Sequence, residues 1–181
     1  TNTINNSGSI STSGNLAHGM SISSTRNTVG IVNTGTISVG GTNANAINVA
    51  GAANISNSGT ISSASGLAIN FGGTLPTNAF NSLTINAGSV INGGITFNAA
   101  STKETLTFNG YTNSGFNNAI TGLNIINANN GSNIVMTSST GYDLVSGQIA
   151  VDATSALNIS GVVRDQVSPA VASSLTKTGA G

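Results

Sequence analysis

The chain has 181 residues, no cysteine, one histidine, four basic and four acidic side chains, and a formal net charge of zero. Only 4 % of it is charged, against roughly a quarter in an ordinary domain, so no basic surface exists for nucleic acid or an anionic membrane patch, and no thiolate metal site or disulfide is available. No apolar run approaches the roughly 20 residues of a membrane-spanning helix, while 38 % hydrophobic content with Ile and Val at regular spacing excludes a disordered tract.

The first predicted elements flank a repeated phrase: Ile4-Asn-Asn-Ser-Gly-Ser-Ile10, Ile31-Val-Asn-Thr-Gly-Thr-Ile37 and Ile55-Ser-Asn-Ser-Gly-Thr-Ile61. Its glycines, Gly8, Gly35 and Gly59, lie 27 and 24 residues apart. A repeat of this length with strand-like content implies a solenoid, in which each unit stacks on the next. Apolar pairs two residues apart interleave with the phrase at Met20/Ile22, Ile47/Val49 and Ile69/Phe71. They continue after it at Leu83/Ile85, Ile95/Phe97, Leu106/Phe108, Leu123/Ile125, Ile134/Met136, Ile149/Val151 and Leu157/Ile159. Residues i and i+2 of a strand face one side, so each pair points two side chains inward.

The spacing predicts two strong strands about every 24 residues, with Gly-rich corners at Ser7-Gly8, Gly40-Gly41, Ser58-Gly59, Gly72-Gly73 and Gly93-Gly94 that use glycine's access to positive φ. Pro76 and Pro169 fall in loops. The whole is read as an all-β, single-stranded, right-handed parallel β-helix of about seven coils, a rod roughly 35 Å long. An antiparallel sandwich would explain the strands but not the recurrence. Residues 1–72 read as regular NSG-type coils, 73–160 as less regular coils, and 161–181 as a loop and a further strand start. Asparagines at matching corners are expected to form amide ladders.

The phrase Ile55-Ser-Asn-Ser-Gly-Thr-Ile61, with the closing Asn158-Ile-Ser-Gly-Val162 and Ser174-Leu-Thr-Lys-Thr-Gly-Ala-Gly181, resembles passenger regions of bacterial autotransporters and the opening of their autotransporter-associated strand repeat. The resemblance implies a right-handed β-helix displayed on the bacterial cell surface or secreted after export through the outer membrane. It also implies a C-terminal membrane barrel elsewhere in the same parent chain, so these residues are read as a piece of a longer protein. The N-terminus lacks a basic region and an apolar core, so no signal peptide is expected within it. The family's known roles span adhesion, self-association, toxin activity and enzymatic activity. The region near the strand repeat is the expected seed of the stack, through Leu157, Ile159 and Leu175.

Candidate chemistry is sparse. A nucleophilic triad needs three side chains in contact, and His18 lies 125 residues, about five coils, from its nearest aspartate, Asp143. His18 therefore reads as a turn residue beside Gly19. Asp143 and Asp165 are 22 residues apart, close to one coil, which is the one spacing that would permit a carboxylate pair for glycan cleavage. Arg164 and Asp165 read more simply as a solvated pair in the Val163–Pro169 loop, and Lys103 with Glu104 as a charged turn. Asn5, Asn54, Asn130 and Asn158 begin Asn-x-Ser sequons that a chain this rich in Asn and Ser produces by composition. No catalytic, cofactor or metal residue is assigned. The reading is a non-catalytic adhesin, self-association or spacer segment, with a host or cell-surface glycan or protein, or a second copy, as partner. Behind it stand a glycan-cleaving passenger and, third, an ice-binding solenoid, whose Thr-x-Thr array at Thr1/Thr3 and Thr105/Thr107 does not continue through the coils.

Overall fold

A computed structural model describes residues 2–98, 100–165 and 176–178. The strands in chain order are β1 (Thr3–Asn6), β2 (Ser9–Thr12), β3 (Met20–Asn33), β4 (Thr36–Val39), β5 (Ile47–Asn57), β6 (Thr60–Phe71), β7 (Ser82–Asn86) and β8 (Val90–Thr96). They continue as β9 (Thr105–Asn109), β10 (Thr112–Phe116), β11 (Ile120–Asn129), β12 (Asn133–Met136), β13 (Tyr142–Val151), β14 (Ala156–Ile159), β15 (Val163–Asp165) and β16 (Thr176–Thr178). Among the described residues every pairing is parallel and joins segments roughly one coil apart, so the chain is a β-solenoid of about seven turns.

Each coil has three faces rather than two strong strands. In the first coil they are β1, β2 and the start of β3. The extra face comes from the repeated phrase, which the spacing counts as one strand but which carries two, Ile4 on β1 and Ile10 on β2. The Met20/Ile22, Ile47/Val49 and Ile69/Phe71 pairs supply the third face, which often runs into the next coil's first face without a turn. Thus β3, β5, β11 and β13 each bend from one face to another inside a single strand. Gly51, with φ of 141°, makes that bend in β5, where a Cβ would lie 2.0 Å from the Ser24 carbonyl oxygen.

The first face carries a column of inward residues in register: Ile4, Ile31, Ile55, Leu83, Leu106, Ile126 and Ile149. Their steps are 27, 24, 28, 23, 20 and 23 residues. At about 4.8 Å per step the column is about 30 Å long. The third face aligns Met20, Ile47, Ile69, Ile95, Ile120, Tyr142 and Val163. The second face aligns Ile10, Ile37, Ile61 and Ile91, then restarts as a separate sheet of β10, β12 and β14. A fully buried Ile or Leu contributes about 1.5–3 kcal/mol, so the columns are the main source of cohesion.

One inward pair is out of phase. Ile126, not Ile125, joins the Leu106 column. Asn124 is the cause: it is buried at the bend, and its side chain bonds to backbone in the coils on either side, to Glu104 N at 2.9 Å and Val145 O at 2.6 Å. That residue resets the alternation.

Gly35 and Gly59 of the repeated phrase serve stacking rather than positive φ. A Cβ at Gly35 would lie 2.0 Å from Gly8 O, and one at Gly59 the same distance from Gly35 O. Thr36 N and Thr60 N bond to those same oxygens at 2.8 and 2.9 Å. The expected amide ladder stands beside them. Asn33 receives a bond from Asn6 Nδ2 at 2.8 Å and gives one to Asn57 Oδ1 at 2.7 Å, with all three asparagines buried.

Candidate functional site

The residues with catalytic potential are dispersed by this register. His18 sits before Met20 in the first coil, and Asp143 follows Tyr142 five steps up the same column. At about 4.8 Å per step they are about 24 Å apart. His18 is half-buried, and its Nδ1 accepts the Asn45 backbone N–H at 2.9 Å. Asn45 Oδ1 in turn accepts Leu67 N at 3.0 Å. The histidine thus staples one coil to the next.

Asp143 is in register with Arg164, while Asp165 aligns with Leu144. Arg164 Nε donates to Asp143 Oδ1 at 2.9 Å, and its guanidinium also reaches Thr140 O. The solvated Arg164–Asp165 loop expected from sequence is instead strand β15, with Arg164 paired across coils. The Asp165 side chain, Leu175, Pro169 and the closing Gly179–Gly181 lie outside the described residues. Of that closing phrase, Thr176–Thr178 pair with Gln148–Ala150. Asn158 is exposed on β14. Asn130 N donates to the exposed Asp152 carboxylate at 2.7 Å. Bonds from Ser155, then from Asn130 and Thr154, hold that acid at about 2.

Glu104 corrects the charged-turn reading of Lys103 and Glu104. It is wholly buried. Its Oε1 accepts Asn81 N at 3.1 Å and Asn81 Nδ2 at 3.3 Å, while Oε2 has no hydrogen-bond partner. Asn81 Oδ1 accepts Ala53 N at 2.8 Å, and Asn124 Oδ1 accepts Glu104 N at 2.9 Å. Asn81, Glu104 and Asn124 thus form an internal ladder, each side chain accepting from the coil before it. Removing the carboxyl from water penalises its charged form, and this burial raises its pKa to about 7 against the smaller opposing effects of the Asn81 bonds and of the Ser101 side chain. The signal was present in sequence. Each member stands two residues before an inward residue of the first face, Leu83, Leu106 or Ile126, so period-2 alternation points it inward too.

Two surface features remain. The first is the outward side of the first face over coils three to six. It presents Asn54 and Ser56, Ser82 and Thr84, Thr105 and Thr107, then Ile125 and Asn127, with no charged residue in these strands. Ser82 Oγ donates to Asn54 Oδ1 at 2.9 Å, Asn86 Nδ2 to Ser56 Oγ at 3.0 Å, and Asn109 Nδ2 to Asn86 Oδ1 at 2.8 Å. The second is a cleft of about 560 Å³ between the 72–81 and 97–104 loops, lined by residues including Leu75, Asn78, Ser101 and Lys103. The long 28-residue step from Ile55 to Leu83 is its one trace in the sequence.

Among the described residues no three His, Cys, Asp or Glu side chains gather as a metal site, and no helix is long and apolar enough to cross a membrane. No family model, no curated protein and no solved structure matches the chain.

Proposed function

We propose that this chain is a surface-exposed, non-catalytic passenger segment of a bacterial autotransporter, acting as a self-associating or adhesive scaffold. The observation that carries the reading is the charge-free outward side of the first face. Its hydroxyls and amides are evenly ranked about 4.8 Å apart. Each keeps spare hydrogen-bonding capacity, since a hydroxyl both donates and accepts and an amide has four sites. A net charge of zero removes the repulsion that normally keeps copies apart. Two rods laid side by side can exchange such bonds without desolvating an ion. The same face offers directional bonds to a host or cell-surface glycan or protein. The solenoid geometry and the phrases at Ile55–Ile61 and Asn158–Val162 support the family reading. In that reading the parent chain supplies a C-terminal membrane barrel, and the rod is displayed or released outside the outer membrane.

Sedimentation velocity tests the association. Oligomers are expected as concentration rises from about 0.01 to about 1 mM, little changed by salt because exposed charges are not involved. Thr107→Lys alone should hold the chain monomeric at a nearly unchanged melting temperature, whereas pairing it with a second lysine at its register partner Thr84 would set like charges opposite each other. A monomer throughout, or association abolished by salt, contradicts the reading. A parent gene without a downstream barrel contradicts the export class.

A further inference from the structure

We propose that the cleft between the 72–81 and 97–104 loops binds a saccharide bearing a carboxylate. The inference goes beyond the scaffold reading and does not rest on side-by-side association. Both loops run from a third face to the next first face, at successive levels of the stack, and so stand one above the other. The coil itself does not require them, since β11 and β13 make the same passage within one strand.

The walls are fixed. Asn98 Nδ2 donates to Gly73 O, tying the two loops together, and Asn98 Oδ1 accepts Ala100 N at 3.0 Å. Turns close with Ala79 N on Pro76 O at 2.9 Å and Ser101 N on Asn98 O at 3.0 Å. Lys103 N bonds to Ser101 Oγ at 3.1 Å. Gly73 has no room for any side chain, because a Cβ there would lie 2.3 Å from Ala50 Cα in the neighbouring coil. The cleft volume of about 560 Å³ falls within the range of roughly 300–1,000 Å³ typical of small-molecule sites.

The lining chooses the ligand class. Thr74, Asn78 and Thr102, all exposed, offer hydroxyl and amide groups that both donate and accept, as a polyol requires. Leu75 and Pro76 form an apolar wall suited to the C–H face of a sugar ring. Lys103 is the one charged residue of the lining, is exposed, and makes no ion pair among the described residues. Its neighbour Glu104 is buried and bonded to Asn81, so no exposed acid beside it neutralises the ammonium. A single ammonium matches one carboxylate. A phosphate site would be expected to bring a second cation or a nest of backbone donors. Uronic and sialic sugars combine these features.

Titration of the ¹⁵N-labelled chain with 3′-sialyllactose and with glucuronic acid, against lactose as the neutral control, tests this. Shifts are expected in residues 72–79 and 98–103 at millimolar acid sugar, with lactose at least about tenfold weaker for lack of the charge-assisted bond. Lys103→Gln should weaken the acid sugars by about tenfold and Lys103→Arg should retain them, both at an unchanged melting temperature since Lys103 is exposed. No shifts at about 20 mM, equal shifts with lactose, shifts outside the two loops, or unaltered affinity in Lys103→Gln would each overturn the proposal.

Discussion

The first three coils and the four that follow fill the same corner in different ways. Asn6, Asn33 and Asn57 occupy one register position, and the same position then passes to Ile85, Phe108, Ala128 and Val151. The asparagine corner is held by bonds that only an identical, aligned neighbour satisfies, reinforced by Asn57 Nδ2 on Gly59 O at 2.9 Å. The apolar corner is held by shape. All seven aromatic side chains of the protein lie between 71 and 142. Phe108 packs edge-on to Phe116 with ring centroids 5.4 Å apart and stacks on Tyr111 at 5.8 Å. An amide ladder fixes register one residue at a time, whereas an apolar column needs only volume and inward direction. The difference accounts for where elaboration occurs: steps of 28 and 20 residues, the restarted second face and the cleft all lie beyond the end of the ladder.

The largest effect should come from the apolar region. Phe108→Ala removes a buried ring that lies in register between Ile85 and Ala128 of the adjacent coils and packs on Tyr111 and Phe116, and should cost about 3–5 kcal/mol in urea unfolding. Loss of less than about 1 kcal/mol would mean that this corner collapses freely and that its packing is not what holds it. Asn33→Ile transplants the later solution into the ladder. It leaves Asn6 Nδ2 and Asn57 Oδ1 without their mutual partner, so about 2–3 kcal/mol should be lost. If the variant is instead as stable as the parent, the ladder sets register without adding stability.

Glu104 sharpens the comparison through pH. Its carboxyl titrates at about 7 folded and near 4.3 unfolded. Between these values the unfolded chain releases a proton that the folded chain retains, so the stability Glu104 contributes is fully present below about 4.3 and is lost as pH rises toward about 7. The full decline should be about 3–4 kcal/mol, of which about 2–3 kcal/mol falls between about pH 5 and pH 8. Glu104→Gln keeps an oxygen for Asn81 N and should erase the decline, read as the difference between the two chains at pH 5 and pH 8. Equal pH profiles would show that Glu104 is not held in its neutral form. The smallest effect belongs to the surface. Arg164→Gln breaks the exposed pair with Asp143 and should cost no more than about 1 kcal/mol.

Much of this architecture was legible because strand periodicity and coil length are both written in apolar spacing. The column from Ile4 to Leu106 follows from it directly. Three things were not. The repeated phrase reads as one strand because only Ser7-Gly8 separates β1 from β2 within it. Asn124 shifted the phase of Ile125 and Ile126 because a buried polar side chain reads as an outward one. Glu104 looked solvated because it adjoins Lys103, although the position two before Leu106 points inward as surely as Leu106 does. For the candidate sites the limit is similar. The outward ranks of Ser, Thr and Asn follow from alternation, but the cleft depends on how two loops meet, and only the unequal step lengths hint at it.

The central functional claim is that copies meet through the uncharged first face. The chain has no cysteine of its own, so single cysteines report contact without background. Thr107→Cys on the first face and Thr121→Cys on the third should be oxidised side by side at a concentration where oligomers form. Covalent dimers are expected from Thr107→Cys and monomers from Thr121→Cys. Equal crosslinking at both positions, or none at Thr107→Cys, would contradict that claim.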